Sequence, residues 1–166
     1  MVMLIPLTNS TLVALVDDED FDLVDRWHWH AAYGRGVRPY ATRTGSAGSR
    51  TDGSRRATRI RLHRFLLNAP RGALVDHINR DTLDCQRANL RLCDASQNAA
   101  NRIPQDATRW RGVHVRANRW RAQIKVRGQL ILLGYFATPE DAARAYDAAA
   151  RAAFGEFAIL NFGDVR

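Results

Sequence analysis

Three polar residues at fixed intervals are the first feature of this sequence that could do chemistry. His77, Asn89 and Asn98 stand at gaps of twelve and nine residues. They lie in Val75-Asp76-His77-Ile78-Asn79, Ala88-Asn89-Leu90-Arg91 and Gln97-Asn98-Ala99-Ala100-Asn101-Arg102. An imidazole titrates near neutrality and can take a proton from water. Carboxylate and amide oxygens suit hard divalent cations such as Mg²⁺ or Mn²⁺. Any one of these residues alone reads as ordinary: Asp76 as a turn acceptor, Asn98 and Asn101 as helix-surface amides. The joint pattern is the specific signal.

Such a set needs elements to hold it. Ala73–Ile78 and Asn89–Cys93 read as short strands around a polar loop from Asn79 to Ala88. Asp94, with Gln97 three residues on, has capping-box spacing and starts a helix that Pro104 ends. Asp76 and His77 would point to opposite faces of a regular strand, so a bend or bulge is expected there. Upstream, residues 2–16 read as strands broken near Pro6 and the Thr8-Asn9-Ser10 turn. A helix follows from Asp17, its cap, to Arg26, with Phe21, Val24 and Trp27 on one face. Trp27–His30 and Pro39–Thr42 read as strand pieces around a Gly34/Gly36 turn. Residues 44–57 are rich in Gly, Ser and Arg and read as a flexible loop, and Thr58–Leu67 as a strand running into a short helix. His63 is expected to pack or to touch phosphate; His28 and His30 are expected to be core and surface positions of one strand.

Beyond a connection at 104–109, three strands are expected at Trp110–Arg116, Trp120–Val126 and Leu130–Gly134. Thr138 and Pro139 then start a helix that stops at Gly155. Its Ala142, Ala145, Tyr146, Ala149 and Ala153 form one small-residue face, and Leu160 and Phe162 close the core. The fold class is therefore α+β, in two domains: 1–103 (core motif 61–103) and 110–166.

Charge agrees with two working surfaces. The 166 residues carry 25 Lys and Arg against 17 Asp and Glu, a net charge of +8. All but Lys125 of the basic residues are Arg, whose planar fork pairs with phosphate and guanine edges. Residues 26–71 carry eleven Arg and one acid, and residues 102–166 eleven basic residues against six acidic. A nearly neutral, Asp- and Asn-rich stretch separates them. Basic surfaces of this kind attract a phosphate backbone. Cys85 and Cys93 form no C-x-x-C pair and are expected to be reduced, structural thiols. There is no basic-led apolar leader and no apolar run of transmembrane length, so a cytoplasmic protein is expected.

The segment from about Arg61 to Arg102 resembles the phage and intron-encoded HNH homing endonucleases with a ββα-metal site. That resemblance implies Asp76 and Asn98 as metal ligands, His77 as general base, and Asn89 as the residue that ties the loop and helps orient His77. It implies a divalent metal, Mg²⁺ or Mn²⁺, which would neutralise charge building on a phosphodiester. Residues 108–162 resemble the ethylene-response-factor (APETALA-two) DNA-binding domain. The matching residues include Trp110-Arg111-Gly112-Val113, Trp120-Arg121-Ala122-Gln123-Ile124, Leu133-Gly134-Tyr135-Phe136 and Leu160-Asn161-Phe162. That family lays a three-stranded sheet in the major groove of double-stranded DNA. The implied contacts are Arg111, His114, Arg116, Arg119, Trp120, Arg121, Gln123, Lys125 and Arg127. Alternation puts Arg111 on the face of Val113 and Val115, so it needs a bulge or an edge position to face DNA. Leu132 stands where the family has a Trp, and His114 where it has an Arg.

A site-specific endonuclease is the function these resemblances imply. A non-catalytic DNA-binding regulator on the same scaffold is the alternative, and a nuclease without sequence choice a weaker third. Monomer or dimer stays open.

Overall fold

The computed structural model describes residues 1–34, 38–49, 55–102 and 110–163. Pro104, the 104–109 connection and Gly36 of the expected turn lie outside the described residues. The chain divides into two compact units, Met1–Leu92 and Cys93–Arg166. Among the described residues no helix is long and apolar enough to cross a membrane. The architecture is α+β, with a three-stranded antiparallel sheet in the second unit.

In the first unit, β1 (Val2–Pro6) and β2 (Val13–Asp17) form an antiparallel pair. Alternation decides its faces: Ile5, Ala14 and Val16 are buried, while Val2, Leu4 and Val13 face out. Asn9, in the turn, takes the place of a strand residue. Its amide accepts from Ala31 N at 2.7 Å and donates to Ala31 O at 2.9 Å. Helix α1 (Asp18–Asp25) buries Val24 against the core, and the Trp29 indole donates to Val24 O at 2.9 Å. Asp17 stands at the N-cap without capping by its side chain. Its carboxylate instead accepts from Arg87 N at 2.7 Å and Gln86 Nε2 at 3.3 Å, 70 and 69 residues away. Phe21 packs against the core as expected, but Trp27 is exposed. Helix α1 also buries Asp20, neutralised by the Arg87 fork at 2.8 Å.

Strands β3 (His30–Tyr33), β4 (Pro39–Ser49) and β5 (Arg55–Arg61) make one antiparallel sheet. The expectation of a loop over 44–57 is overturned for 44–49 and 55–57, which are strand; 50–54 lie outside the described residues. β4 and β5 pair onward from Thr42↔Arg61 through Gly45↔Thr58 and Ser46↔Ala57 to Ser49↔Arg55. Backbone ladder bonds need no apolar side chain, so a Gly/Ser-rich stretch can pair once its hairpin is in register. Helix α2 (Leu62–Leu66) turns off β5 and buries Leu62, His63 and Leu66. The core joins Leu7, Val16, Val24, Trp29, Leu62 and Cys85.

β6 (Leu74–His77) pairs with β7 (Leu90–Cys93) in a two-stranded sheet. A short 3-10 turn, Arg87–Asn89, leads into β7. In the second unit, α3 (Ala95–Ala100) has the expected reciprocal capping box. Gln97 N donates to Asp94 Oδ1 at 2.7 Å, and Asp94 N to Gln97 Oε1 at 2.9 Å. Strands β8 (Val113–Arg116), β9 (Arg119–Val126) and β10 (Gln129–Phe136) follow in the order β10-β9-β8. Thr138 caps α4 (Pro139–Phe154), which ends at Gly155. Ala142, Ala143, Tyr146 and Ala150 are its buried face; Ala153 is exposed, one position off the expected stripe. Small residues let the helix lie close on Ala122 and Ile124, also buried. Buried Asp147 accepts from Asn161 N at 2.8 Å and Phe162 N at 2.9 Å, fastening the chain end. Phe162 itself is exposed, its ring 4.8 Å from that of Trp110.

Candidate active site and nucleic-acid interface

The first unit gathers Asp76, His77 and Asn89 at the ends of β6 and β7. Asn89 is buried and ties the polar loop at both ends. Its Oδ1 accepts from Asn79 N at 2.9 Å, its Nδ2 donates to Asp84 O at 2.8 Å, and its carbonyl accepts from Ile78 N at 2.9 Å. The loop between is built from short polar turns. Asn79 Oδ1 accepts from Asp81 N, Asp81 Oδ1 from Leu83 N, and Asn79 Nδ2 donates to Asp84 Oδ2 at 2.7 Å. Arg80 N donates to His77 O at 2.9 Å, which fixes the backbone just after the His. A flexible polar loop here would let His77 wander; this one is bonded at nearly every step.

His77 is 5% exposed and Asp76 6%. Both faces of β6 are therefore covered at these neighbours, which explains how adjacent residues can both be buried. Burial pushes the His77 pKa down, against the opposing pull of the Asp76, Asp81 and Asp84 carboxylates. The imidazole is thereby held neutral, the form that can accept a proton. The Asp76 carboxylate is fixed by Arg91, whose Nε and Nη2 reach Oδ2 at 3.0 and 2.9 Å. Asn98 sits half-buried on α3, within the second unit, and Asn101 is buried at the C-cap of that helix.

Residues beyond the expected set complete the surroundings of His77. The His63 ring stands edge-on to it at 4.9 Å, and Tyr40 lies 5.4 Å from His63 and 6.2 Å from His77. Arg61 in turn covers Tyr40 at 5.1 Å. His63 thus packs, one of the two options open for it. Burial, helped by His77, Arg61 and Arg64, lowers its pKa to about 3. Cys85 is buried beneath the loop and its thiol is pushed up to about 12, as suits an inert structural thiol; neither cysteine is in a disulfide. Tyr40 and Arg91 went unassigned from sequence. Only the Arg91–Asp76 pairing had a signal, opposite charges on two strands of one hairpin.

In the second unit, register sorts the candidate contacts by face. Val113 and Ala122 are buried on the α4 side, where Trp120 also packs, while Val115, opposite Trp120, is exposed; His114↔Arg121 and Arg116↔Arg119 alternate to the other face. Gln123 and Lys125 continue the outward side of β9. Arg127, in the β9–β10 turn, is exposed, and its amide donates to Ser96 Oγ at 2.9 Å. Two candidates lie on the inward side. Trp120 packs against the cluster of Val113, Ala122, Ala142 and Ala143. Arg111 Nε donates to Tyr146 Oη at 2.7 Å and its Nη2 to Ala99 O at 3.0 Å, while Nη1 binds Arg102 O. Gly112, with φ 72°, makes this possible. An added Cβ would fall 2.0 Å from the Tyr146 ring.

Comparison with known proteins agrees with both halves. Residues 68–100 match the HNH endonuclease family model. An uncharacterized HNH endonuclease of Acanthamoeba polyphaga mimivirus is 31% identical over 110 residues, 62% of this chain and 58% of that protein. Dehydration-responsive element-binding protein 1B of Oryza sativa subsp. japonica is 53% identical over 51 residues, 29% of this chain and 23% of that protein. The chain thus spans less than two thirds of either relative. It resembles an HNH endonuclease through residues 68–100, and its C-terminal half resembles a DNA-binding protein of the element-binding kind.

Proposed function

We propose that the chain is a site-specific, divalent-metal-dependent DNA endonuclease of the homing type, working inside a bacterial or phage-infected cell. The observation that carries the reading is the buried His77 beside Asp76, locked by the loop that Asn89 ties. His77 takes a proton from the attacking water. Asp76 and Asn98 supply oxygen ligands to Mg²⁺ or Mn²⁺, and the metal, when bound, neutralises charge developing on the phosphodiester.

The donor set suits a hard cation. Among the described residues no three His, Cys, Asp or Glu side chains form a metal cluster. A cation here would draw most of its shell from phosphate and water, as Mg²⁺ commonly does. Arg91 holds the Asp76 carboxylate in one orientation, and Asn89 holds the backbone around His77. Outward His114, Arg116, Arg119, Arg121, Gln123 and Lys125, with Arg127 at the turn, lie against double-stranded DNA and choose the site.

A supercoiled plasmid carrying a bound site tests this. Nicked or linear product is expected only with Mg²⁺ or Mn²⁺, and neither with EDTA nor with Asp76→Ala. His77→Ala should slow cleavage by about 10² or more while leaving DNA binding intact. Equal loss of binding and cleavage would remove His77 from the role of base. The Arg91 ion pair on Asp76 favours one second reading, a DNA-binding regulator that keeps the nuclease scaffold as structure. In that case the wild-type chain binds but does not cut in any divalent metal.

A further inference from the structure

The outward face of the second unit's sheet is chemically divided. No Asp or Glu occurs between Val113 and Phe136, and β8 and β9 present His114, Arg116, Arg121, Gln123 and Lys125. β10 presents hydrocarbon. Leu130 and Leu132 are 63% and 55% exposed, opposite Lys125 and Gln123 in register. A bulge between Leu132 and Gly134 brings Tyr135, opposite Arg121, to the same side. Large apolar side chains on the open edge of a sheet are a liability in water unless something covers them. With cations on the neighbouring strands and no acid on any of the three, the covering partner is a polyanion with apolar groups at fixed places. Double-stranded DNA fits: its major groove lines phosphates along the rims and exposes one methyl group per thymine on the floor.

We propose that Leu130 and Leu132 read the C5-methyl groups of thymines, making the preferred site one with thymine under β10. Gln123, directly across from Leu132, is placed for the adenine edge, which Gln can pair through N6 and N7. The inference rests on the reading above that this sheet binds duplex DNA. It adds which base the apolar strand selects.

The test uses the full chain in EDTA, so that binding is measured without cleavage. A site is selected from randomised duplex, and each thymine in it is then replaced by deoxyuridine, which removes only the methyl. Loss of affinity by about fourfold per methyl is expected at one or two positions, the worth of one buried methylene. Leu132→Ala and Leu130→Ala, both at exposed positions, should each lose the discrimination at the thymine that side chain covers, and the double variant should bind thymine and uracil duplexes alike. Equal wild-type affinity for the two duplexes would overturn the inference and leave DNA binding by the sheet standing. So would uracil discrimination that survives the double variant. Failure of the full chain to bind any duplex would remove the underlying reading, and the inference with it.

Discussion

Around His77 the polar side chains are buried and bonded on several sides, whereas across β8–β10 several of them project from a sheet into solvent. Asp76, His77, Asn89 and His63 are all buried in the first unit. Arg116, Arg119 and Lys125 are exposed in the second. The contrast matches the two tasks proposed above. A proton acceptor must be held in place and kept neutral, and burial does both. A reader of a large polyanion must leave its cations in reach and free to adapt. Buried polar groups therefore tie the first unit's stability to its chemistry, while the second unit can change its outer face at little cost to its fold.

The sharpest way to break that contrast is to disturb the second unit from within. Gly112→Ala places a Cβ against the Tyr146 ring and 2.6 Å from Gln123 O, at a backbone conformation that disfavours side chains. A loss of roughly 3 kcal/mol or more is expected. Hydrogen exchange on the full chain should show it in residues 110–163. Protection that changes equally in both units would mean that they do not unfold separately.

A smaller effect for each unit of pH is expected from acid. His63 has an ordinary pKa of 6.5 that burial lowers to about 3. Between those values the unfolded chain takes up a proton that the folded chain refuses. The stability is therefore full above pH 6.5 and falls toward pH 3, by about 1.4 kcal/mol per pH unit. His63→Gln should flatten the slope of the first unit's urea midpoint over this range. An unchanged slope would show that His63 is not the group responsible.

Smallest is the expected effect of Lys125→Ala. Stability should move by no more than about 0.5 kcal/mol, and the slope of log affinity against log salt should fall by about one. A large change in melting would place Lys125 among the structural residues.

What could be read from the sequence divides along the same line as the chemistry. The Asp94–Gln97 capping box, the Thr138 cap and the β8–β10 strands all show, because their signals lie within a few residues of one another. Strand parity also sorted Gln123 and Lys125 from Ala122 and Ile124. What the sequence hid was long-range. Asp17 reads locally as a helix cap, yet its carboxylate serves Gln86 and Arg87. The Arg87 fork on Asp20 and the Tyr40–His63–His77 cluster join segments that no local pattern links. The pairing of β4 with β5 through Gly45 and Ser46 was hidden for a different reason. It depends on backbone bonds, and side-chain composition carries no trace of them.

Arg111 gives the last consequence. Its guanidinium holds Ala99 O, Arg102 O and Tyr146, and Arg127 N holds Ser96. The helix bearing Asn98 is therefore anchored to the same unit as the outward basic face. An engineer exchanging target preference by transplantation would meet this directly. A junction placed between residues 103 and 110 would strip that helix of its clamps, so an interchangeable cassette has to begin ahead of Cys93 and bring its own Asn98.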